Sequence, residues 1–179
     1  EIVEATLIGG KPVSRLLYVD PIEKKERLTQ DDIAFYQKQE RFVLKECGVI
    51  DPEDIDEYIF RHGYEAAKAA FKCDGAQLCK DMIDSGLRGR GGGGFPTGKK
   101  WDIARVQPGN KKYVICNGDE GDPGAFMDRS VMEGNPHSVI EGLMIAAKAI
   151  GADEGYVYVR TEYPLAVKRM RKAVDDARK

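Results

Sequence analysis

The chain has 179 residues, of which 42% are hydrophobic and 32% charged, with 28 basic against 30 acidic side chains. This composition is ordinary for a globular domain and excludes a disordered tail. The net charge of −2 gives no overall field that would draw the chain to nucleic acid or to an anionic membrane. The longest apolar stretch, Leu143 to Ala147, is far too short to cross a bilayer, so no membrane span is predicted.

Cysteine and histidine spacing argues against a metal site. None of the four cysteines forms a Cys-x-x-Cys pair and the two histidines are far apart, whereas zinc and iron–sulfur sites need closer pairs. The cysteines are therefore predicted to be free thiols in a reducing compartment. Since no secretory signal stands at the amino terminus, we expect a cytoplasmic location.

Residues 1–30 are polar and weakly patterned. A Gly-Gly pair at 9–10 and an Asp-Pro pair at 20–21 predict turns, and residues 16–19 predict a short strand. We interpret this segment as a lead-in or linker from a preceding domain, and residues 31–179 as the main domain.

Three helices are predicted in the first half of the main domain. Asp51 is expected to cap the first, with Pro52 at its first helical position, and Gly63 ends it. The second covers about 64–72, and the third about 76–85.

The second half predicts a strand–helix–strand unit. Apolar runs at 113–116 and 156–159 predict buried strands, with Tyr156 and Tyr158 packed on one face, and the helix between them covers 136–150. This order indicates an α/β fold with a parallel sheet, whose ligands bind beyond the carboxyl ends of the strands. The last helix begins at Pro164 and still continues at the chain end, and the chain lacks an initiating Met. We therefore expect a piece of a longer protein.

Residues 86–98, here called the glycine loop, are too rich in glycine for a regular element. Glycine lets the backbone approach a ligand closely and turn its N–H groups toward phosphate oxygens. Seven basic and two acidic residues lie between 84 and 112, which indicates an anion site. The spacing is not that of a P-loop, and Gly89-x-Gly91-x-x-Gly94 matches the dinucleotide pattern only formally. A flexible loop or an RNA-binding arginine–glycine segment is the alternative.

Residues 117–124, here called the acidic turn, follow the first predicted strand. Asp119, Glu120 and Asp122 could bind a metal, accept hydrogen bonds from sugar hydroxyls or read the N–H edge of a heterocycle, and Asn117 could both donate and accept. A solvated turn is the alternative. Together with a cationic glycine loop, the acidic turn favours a ligand with phosphate at one end and a hydrogen-bonding ring at the other. Flavin mononucleotide (FMN) has that shape.

Three segments, Gly89–Trp101, Cys116–Gly124 and Arg160–Pro164, occur in an order and spacing that resemble one family. That family is the flavin-carrying, NADH-oxidising subunit of respiratory complex I and its relatives. The closest resemblance is to the beta subunits of NAD(P)-linked, electron-bifurcating iron hydrogenases, and it covers nearly the whole chain. Gly118, Gly121 and Asp122 match this branch, whereas complex I members usually carry Ala, Ser and Glu there.

The resemblance implies a Rossmann-like parallel-sheet flavin domain, of which residues 31–179 would be the amino-terminal part, after a helical and irregular lead-in. It implies an FMN-binding module that accepts hydride from NADH and passes electrons to [4Fe–4S] and [2Fe–2S] clusters outside this chain. The implied partners are NADH and the other subunits of a hydrogenase or dehydrogenase, including a [2Fe–2S] subunit. The alternative is a non-catalytic module that binds nucleotide or RNA through the glycine loop.

The resemblance also assigns site residues. The cofactor-binding set is Gly89, Arg90, Gly91, Gly92 and Lys100 along the phosphate and ribityl chain, with Asn117, Asp119, Glu120 and Gly121 at the flavin ring. Phe95 would stack on the nicotinamide nucleotide, and Asp122 would be an acid near NADH. No catalytic side chain and no metal ligand is implied, because the flavin itself performs hydride transfer.

Overall fold

The computed structural model describes all 179 residues, and the chain divides into two compact units, Glu1–Phe42 and Val43–Lys179. The first unit holds the short elements, which are a π-helical segment Val3–Ile8, the 3₁₀ turns Ser14–Leu16 and Gln30–Asp32, the antiparallel strands β1 (Tyr18–Val19) and β2 (Glu26–Arg27), and helix α1 (Ala34–Gln37). The predicted strand at 16–19 is therefore shorter than expected. No apolar residue of this unit is buried. The division into domains at residue 30 stays a prediction.

The second unit begins with helices, whose bounds are α2 (Ile55–Phe60), α3 (Glu65–Ala70), α4 (Gly75–Asp84) and α5 (Thr97–Val106). The predicted start of α2 is wrong. Asp54, not Asp51, caps the helix by accepting a hydrogen bond from the Asp56 amide at 2.9 Å. Asp51 instead accepts one from the Glu53 amide at 2.8 Å, so the chain completes a turn before the helix begins.

The sheet that follows is parallel, as predicted. Its elements in chain order are β3 (Tyr113–Gly118), α6 (Met127–Gly134), α7 (Pro136–Ile150), β4 (Glu154–Val159) and α8 (Pro164–Ala177). Residues pair from Tyr113 with Glu154 to Gly118 with Val159. The crossover helix α7 ends at Gly151, whose φ of 72° suits glycine. The sequence predicted no helix where α6 lies.

Only one face of the sheet is covered. Val157 and Val159 pack with buried residues of α7 and α8, among them Ile140 and Met170. On the other face the side chains of Tyr156 and Tyr158 are more than half exposed, at 54% and 58%. The prediction that these tyrosines pack in a buried strand is wrong, because alternate residues of a strand point to opposite faces and helices α7 and α8 both lie on the face of Val157 and Val159.

Helices α4 and α5 form a hairpin closed by the glycine loop. At its open end, a Cβ added to Gly75 would lie 2.5 Å from the Ala149 carbonyl oxygen and 3.3 Å from the Arg105 side chain. The α7 end at Ala149 leads directly into β4, so the open end of the hairpin lies at the amino edge of the sheet. The glycine loop stands one helix length away, about 15 Å. None of the helices is long and apolar enough to cross a bilayer.

Candidate functional site

The glycine loop is closed at its base by a short antiparallel bridge between Arg88 and Pro96. The Gly89 amide donates to the Phe95 carbonyl at 2.9 Å, and the Thr97 amide donates to the Leu87 carbonyl at 3.0 Å. The loop thus leaves α4 and enters α5 through one fixed neck. It does not follow a strand, so it is not a dinucleotide-binding turn of the usual strand–loop–helix kind.

Beyond this neck, the backbone of residues 90–94 is open. The amides of residues 90–94 donate to no acceptor in the protein, and a Cβ added at any of the glycines 91–94 meets no atom within 4 Å. Gly92 and Gly94 adopt φ values of 97° and 59°, which glycine adopts more readily than any other residue. The result is a run of unpaired N–H groups beside the amino terminus of α5, an arrangement that suits phosphate.

The structure brings the predicted phosphate-side residues together on one continuous segment. Gly89, Arg90, Gly91 and Gly92 lie in the loop, and Lys100 lies in the first turn of α5. Phe95 closes the loop with 52% of its surface exposed, so its ring is free to stack on a ligand.

The acidic turn begins where β3 ends. The Asn117 side-chain oxygen accepts a hydrogen bond from the Asp119 amide at 3.0 Å. At Gly118 an added Cβ would lie 2.8 Å from the Tyr158 carbonyl oxygen and 2.9 Å from the Met132 side chain. Close packing of β3 on β4 and α6 therefore requires glycine at this position, whatever ligand binds beyond it.

The acids of this turn are not equivalent. Glu120 accepts hydrogen bonds from the amides of Asp128 at 3.2 Å and Arg129 at 3.3 Å, so its carboxylate lies at the amino terminus of α6. The carboxylates of Asp119 and Asp122 accept no hydrogen bond from the protein and are exposed. Asp119 and Asp122 are thus free to meet a ligand, whereas Glu120 is anchored.

Burial raises the pKa of Asp128, and the negative charge of Glu120 raises it further. Both carboxyl groups lie at the amino terminus of α6. No group of three or more His, Cys, Asp or Glu side chains, in this turn or outside it, is placed to hold a metal ion.

The structure adds two residues to this region, Arg160 and Tyr163, which the sequence analysis included in a motif but did not assign to the site. Arg160, the first residue beyond β4, donates from Nη1 to the Glu120 carbonyl oxygen, and from Nε and Nη2 to the Glu162 carboxylate at 3.1 and 3.0 Å. This ion pair lowers the pKa of Glu162. Tyr163 is buried, and the guanidinium groups of Arg129 and Arg160 each lie 5.4 Å from its ring centroid. The strand register is the signal that could have found Arg160, because Val159 pairs with Gly118.

The predicted residues therefore form two separate groups. The hydrogen bonds of residues 87–96 stay within the glycine loop and its flanks, and none reaches the acidic turn. One group offers N–H donors and cations, and the other offers carboxylate and amide oxygens. Unpaired amides at one group and unpaired carboxylates at the other fit FMN, which carries a phosphate and a ring with N–H and C=O edges.

Comparison with known proteins agrees with this geometry. The family described as the Nuo51 FMN-binding domain matches residues 82–179. The chain is 54% identical over 142 residues to the NADP-reducing hydrogenase subunit HndC of Solidesulfovibrio fructosivorans. This alignment covers 79% of this chain and 29% of that protein. The chain is 47% identical over 137 residues to an NADH-quinone oxidoreductase subunit of Aquifex aeolicus (strain VF5), which covers 76% of this chain and 32% of that protein.

A solved structure gives the same result. A chain of the NAD⁺-reducing [NiFe]-hydrogenase in the air-oxidized state superposes with a TM-score of 0.59 at 32% identity, over 77% of this chain and 22% of that one. The chain thus spans about a third or less of the length of these relatives. The prediction of a complex I-type and hydrogenase-type flavin domain with a parallel sheet is confirmed: the chain belongs to the family of Nuo51 FMN-binding domains.

Proposed function

We propose that this chain holds FMN in an NAD(P)H-linked oxidoreductase of the complex I and hydrogenase type. The observation that carries the proposal is the run of unpaired amides at residues 90–94, held open by the neck at Arg88 and Pro96. An arginine–glycine segment that binds RNA has no need of a closed neck at a helix start, and the family match supports FMN rather than RNA.

The glycine loop binds the phosphate end of the cofactor. The amides beside Gly91 and Gly92 donate to phosphate oxygens, and Gly89 keeps the neck narrow. Arg90 and Lys100 add positive charge, which binds a dianionic phosphate more strongly than amides alone.

The acidic turn binds the ring. Asp119 accepts from a ring N–H, and Asn117 pairs with a neighbouring ring edge. Gly121 lets the backbone come close to the ring. Glu120 contacts the flavin through Oε1, which accepts one hydrogen bond from α6 and keeps a second lone pair, whereas Oε2 accepts from both the Arg129 amide and the Tyr163 hydroxyl.

Phe95 and Asp122 bind the nicotinamide nucleotide. The half-exposed ring of Phe95 stacks on the nucleotide, and the exposed Asp122 carboxylate accepts hydrogen bonds from its polar groups. When bound, FMN supplies the hydride acceptor for NAD(P)H and the source of single electrons. The electrons go to [4Fe–4S] and [2Fe–2S] clusters outside residues 1–179, through a cytoplasmic complex that includes a [2Fe–2S] subunit.

The test is a flavin fluorescence titration of the full-length protein, with NADH oxidation by ferricyanide as the activity readout. We expect quenching of FMN fluorescence at one flavin per chain, and NADH oxidation that depends on added FMN. A parallel titration with single-stranded RNA tests the alternative, in which the glycine loop binds RNA. Tight RNA binding without any flavin binding would contradict the proposal.

A further inference from the structure

The acidic turn has little to hold it in place by itself. Its internal hydrogen bonds are the one from the Asp119 amide to the Asn117 side chain and one at 3.1 Å from the Ala125 amide to the Asp122 carbonyl. The amides of residues 120 and 121 between them make none. Three carboxylates within four residues also repel each other. A defined position for this turn therefore requires a contact from outside it.

The Glu120 carboxylate supplies one such contact, since it accepts hydrogen bonds from α6 and from the Tyr163 hydroxyl. The end of the neighbouring strand supplies another, which reaches the backbone of the turn itself. Because Val159 is paired with Gly118, the next residue, Arg160, stands beside the start of the turn. Its Nη1 donates to the Glu120 carbonyl oxygen, which lies in the backbone between the residues proposed to meet the flavin ring. This side chain is 26% exposed, so solvent competes only in part for the hydrogen bond.

The other donors of Arg160 fix its direction. Nε and Nη2 form a bidentate pair with Glu162, and the guanidinium group lies over the buried Tyr163 ring. The planar guanidinium can hold a carboxylate on one side and a carbonyl on the other at the same time, whereas a lysine ammonium is a single point charge. The arrangement therefore needs arginine and not only a positive charge.

We propose that Arg160 is a positioning residue of the flavin site, which acts through the Glu120 carbonyl to aim Asp119 at the flavin ring. Arg160 itself does not touch the cofactor. The inference rests on the proposed function, since it assigns Arg160 a task in FMN binding.

The test compares two arginines in the full-length protein. Arg169 has nearly the same exposure, 25%, and its Nη1 also donates to a backbone carbonyl, that of Glu133 at 2.6 Å, but it does not touch the acidic turn. Arg160→Lys and Arg169→Lys are measured for FMN affinity by fluorescence, for the midpoint potential of the bound flavin and for melting temperature.

We expect Arg160→Lys to weaken FMN binding about tenfold, the usual effect of one charge-assisted hydrogen bond. The flavin potential should rise, because the Asp119 charge moves away from a ring that gains electrons on reduction. Arg169→Lys should bind FMN with wild-type affinity and potential. Equal affinity and potential in Arg160→Lys and the wild type would overturn the inference, as would equal losses in the two variants.

Glu162→Gln provides a second test that keeps both the shape of the site and Arg160 itself. It weakens the bidentate pair, so the flavin potential should rise by less than in Arg160→Lys. If Arg160→Lys does not fold, an unchanged potential and affinity in Glu162→Gln overturns the inference. Absence of FMN binding by the wild type would instead refute the proposed function, and the inference with it.

Discussion

The glycine loop leaves five consecutive amides, those of residues 90–94, without a partner in the protein, whereas the acidic turn is tied to α6 and to the end of β4. A side chain added at glycines 91–94 meets open space, but one added at Gly118 meets Tyr158 and Met132 below 3.0 Å. The loop therefore leaves its backbone open for a ligand, whereas the turn is shaped largely by what it packs against.

This difference separates binding from stability. Unpaired amides contribute nothing to folding, so changes at Gly91 and Gly93, where φ is not positive and an added Cβ meets nothing, should alter affinity alone. Groups of the turn that also cap α6 or pack β3 contribute to both, so changes there should alter the free energy of unfolding as well as affinity. The predictions below address this separation in order of decreasing effect.

Gly91→Val should have the largest effect on FMN binding. The branched side chain fills the space in front of the unpaired amides, so we expect a loss of at least about a hundredfold, or ~3 kcal/mol, equivalent to several hydrogen bonds. The melting temperature should stay near that of the wild type, because the added atoms meet nothing in the protein. Fluorescence titration and thermal melts measure the two quantities.

The control for this variant is Gly142→Val on α7, where an added Cβ also meets nothing within 4 Å. It should bind FMN normally and be at least as stable as the wild type, because valine has a higher helix propensity than glycine. Purification of Gly91→Val with full flavin content would contradict the assignment of the loop.

Gly118→Ala should mainly affect stability. The new methyl group would lie 2.8 Å from the Tyr158 carbonyl oxygen, which is backbone and does not move away freely. We expect unfolding to become easier by about 1–3 kcal/mol, the range for overpacked sites. Urea denaturation of the flavin-free protein measures this. An unchanged midpoint would show that the turn is as loosely packed as the loop.

The sequence predicted the two site segments, but not how the protein holds them. Glycine content and charge are local properties, and they were enough to find the loop at Gly89–Gly92 and the acids at Asp119 and Glu120. The parallel sheet and the crossover helix also followed from local patterns, since α7 has a proline at its start and Gly151 at its end.

The hydrogen bond from Arg160 to the acidic turn joins residues that are far apart in the chain. Arg160 lies 40 positions from Glu120, and no local pattern joins them. Helix α6 was missed for a related reason. Its start is capped by Glu120, eight residues before Asp128, rather than by a residue directly preceding the helix. The exposed tyrosines of β4 were wrongly placed because an apolar run does not indicate how many faces of a sheet are covered.

Glu120→Gln should have a moderate effect. The amide keeps the shape and one acceptor oxygen but loses the negative charge at the amino terminus of α6, which is worth about 0.3–1 kcal/mol. Thermal melts of the flavin-free protein should show this loss, and Glu133→Gln, at the other end of the same helix, serves as the control. Because Glu133 forms an ion pair with Arg129 at 2.9 Å, its variant shows the cost of losing a helix ion pair. An unchanged melting temperature in Glu120→Gln would mean that the Glu120 charge does not stabilise the helix.

Asp128→Asn should have the smallest effect, and it should be a gain. Burial, with the charge of Glu120, raises the pKa of Asp128 in the folded protein above its ordinary value of 3.8. A raised carboxyl pKa favours folding while the group is protonated, below the unfolded value, and this contribution is lost as the pH rises through the folded value. At pH 7 the ionised carboxylate therefore opposes folding, and asparagine removes that cost.

We expect a few tenths of a kcal/mol in favour of the variant at pH 7, about the size of other partly exposed charge interactions. The gain should shrink as the pH falls toward 3.8, because the wild-type carboxyl group is then neutral too. Urea denaturation at several pH values measures the difference, and a variant that is less stable at pH 7 would show that Asp128 stabilises α6 as a first-turn acid instead.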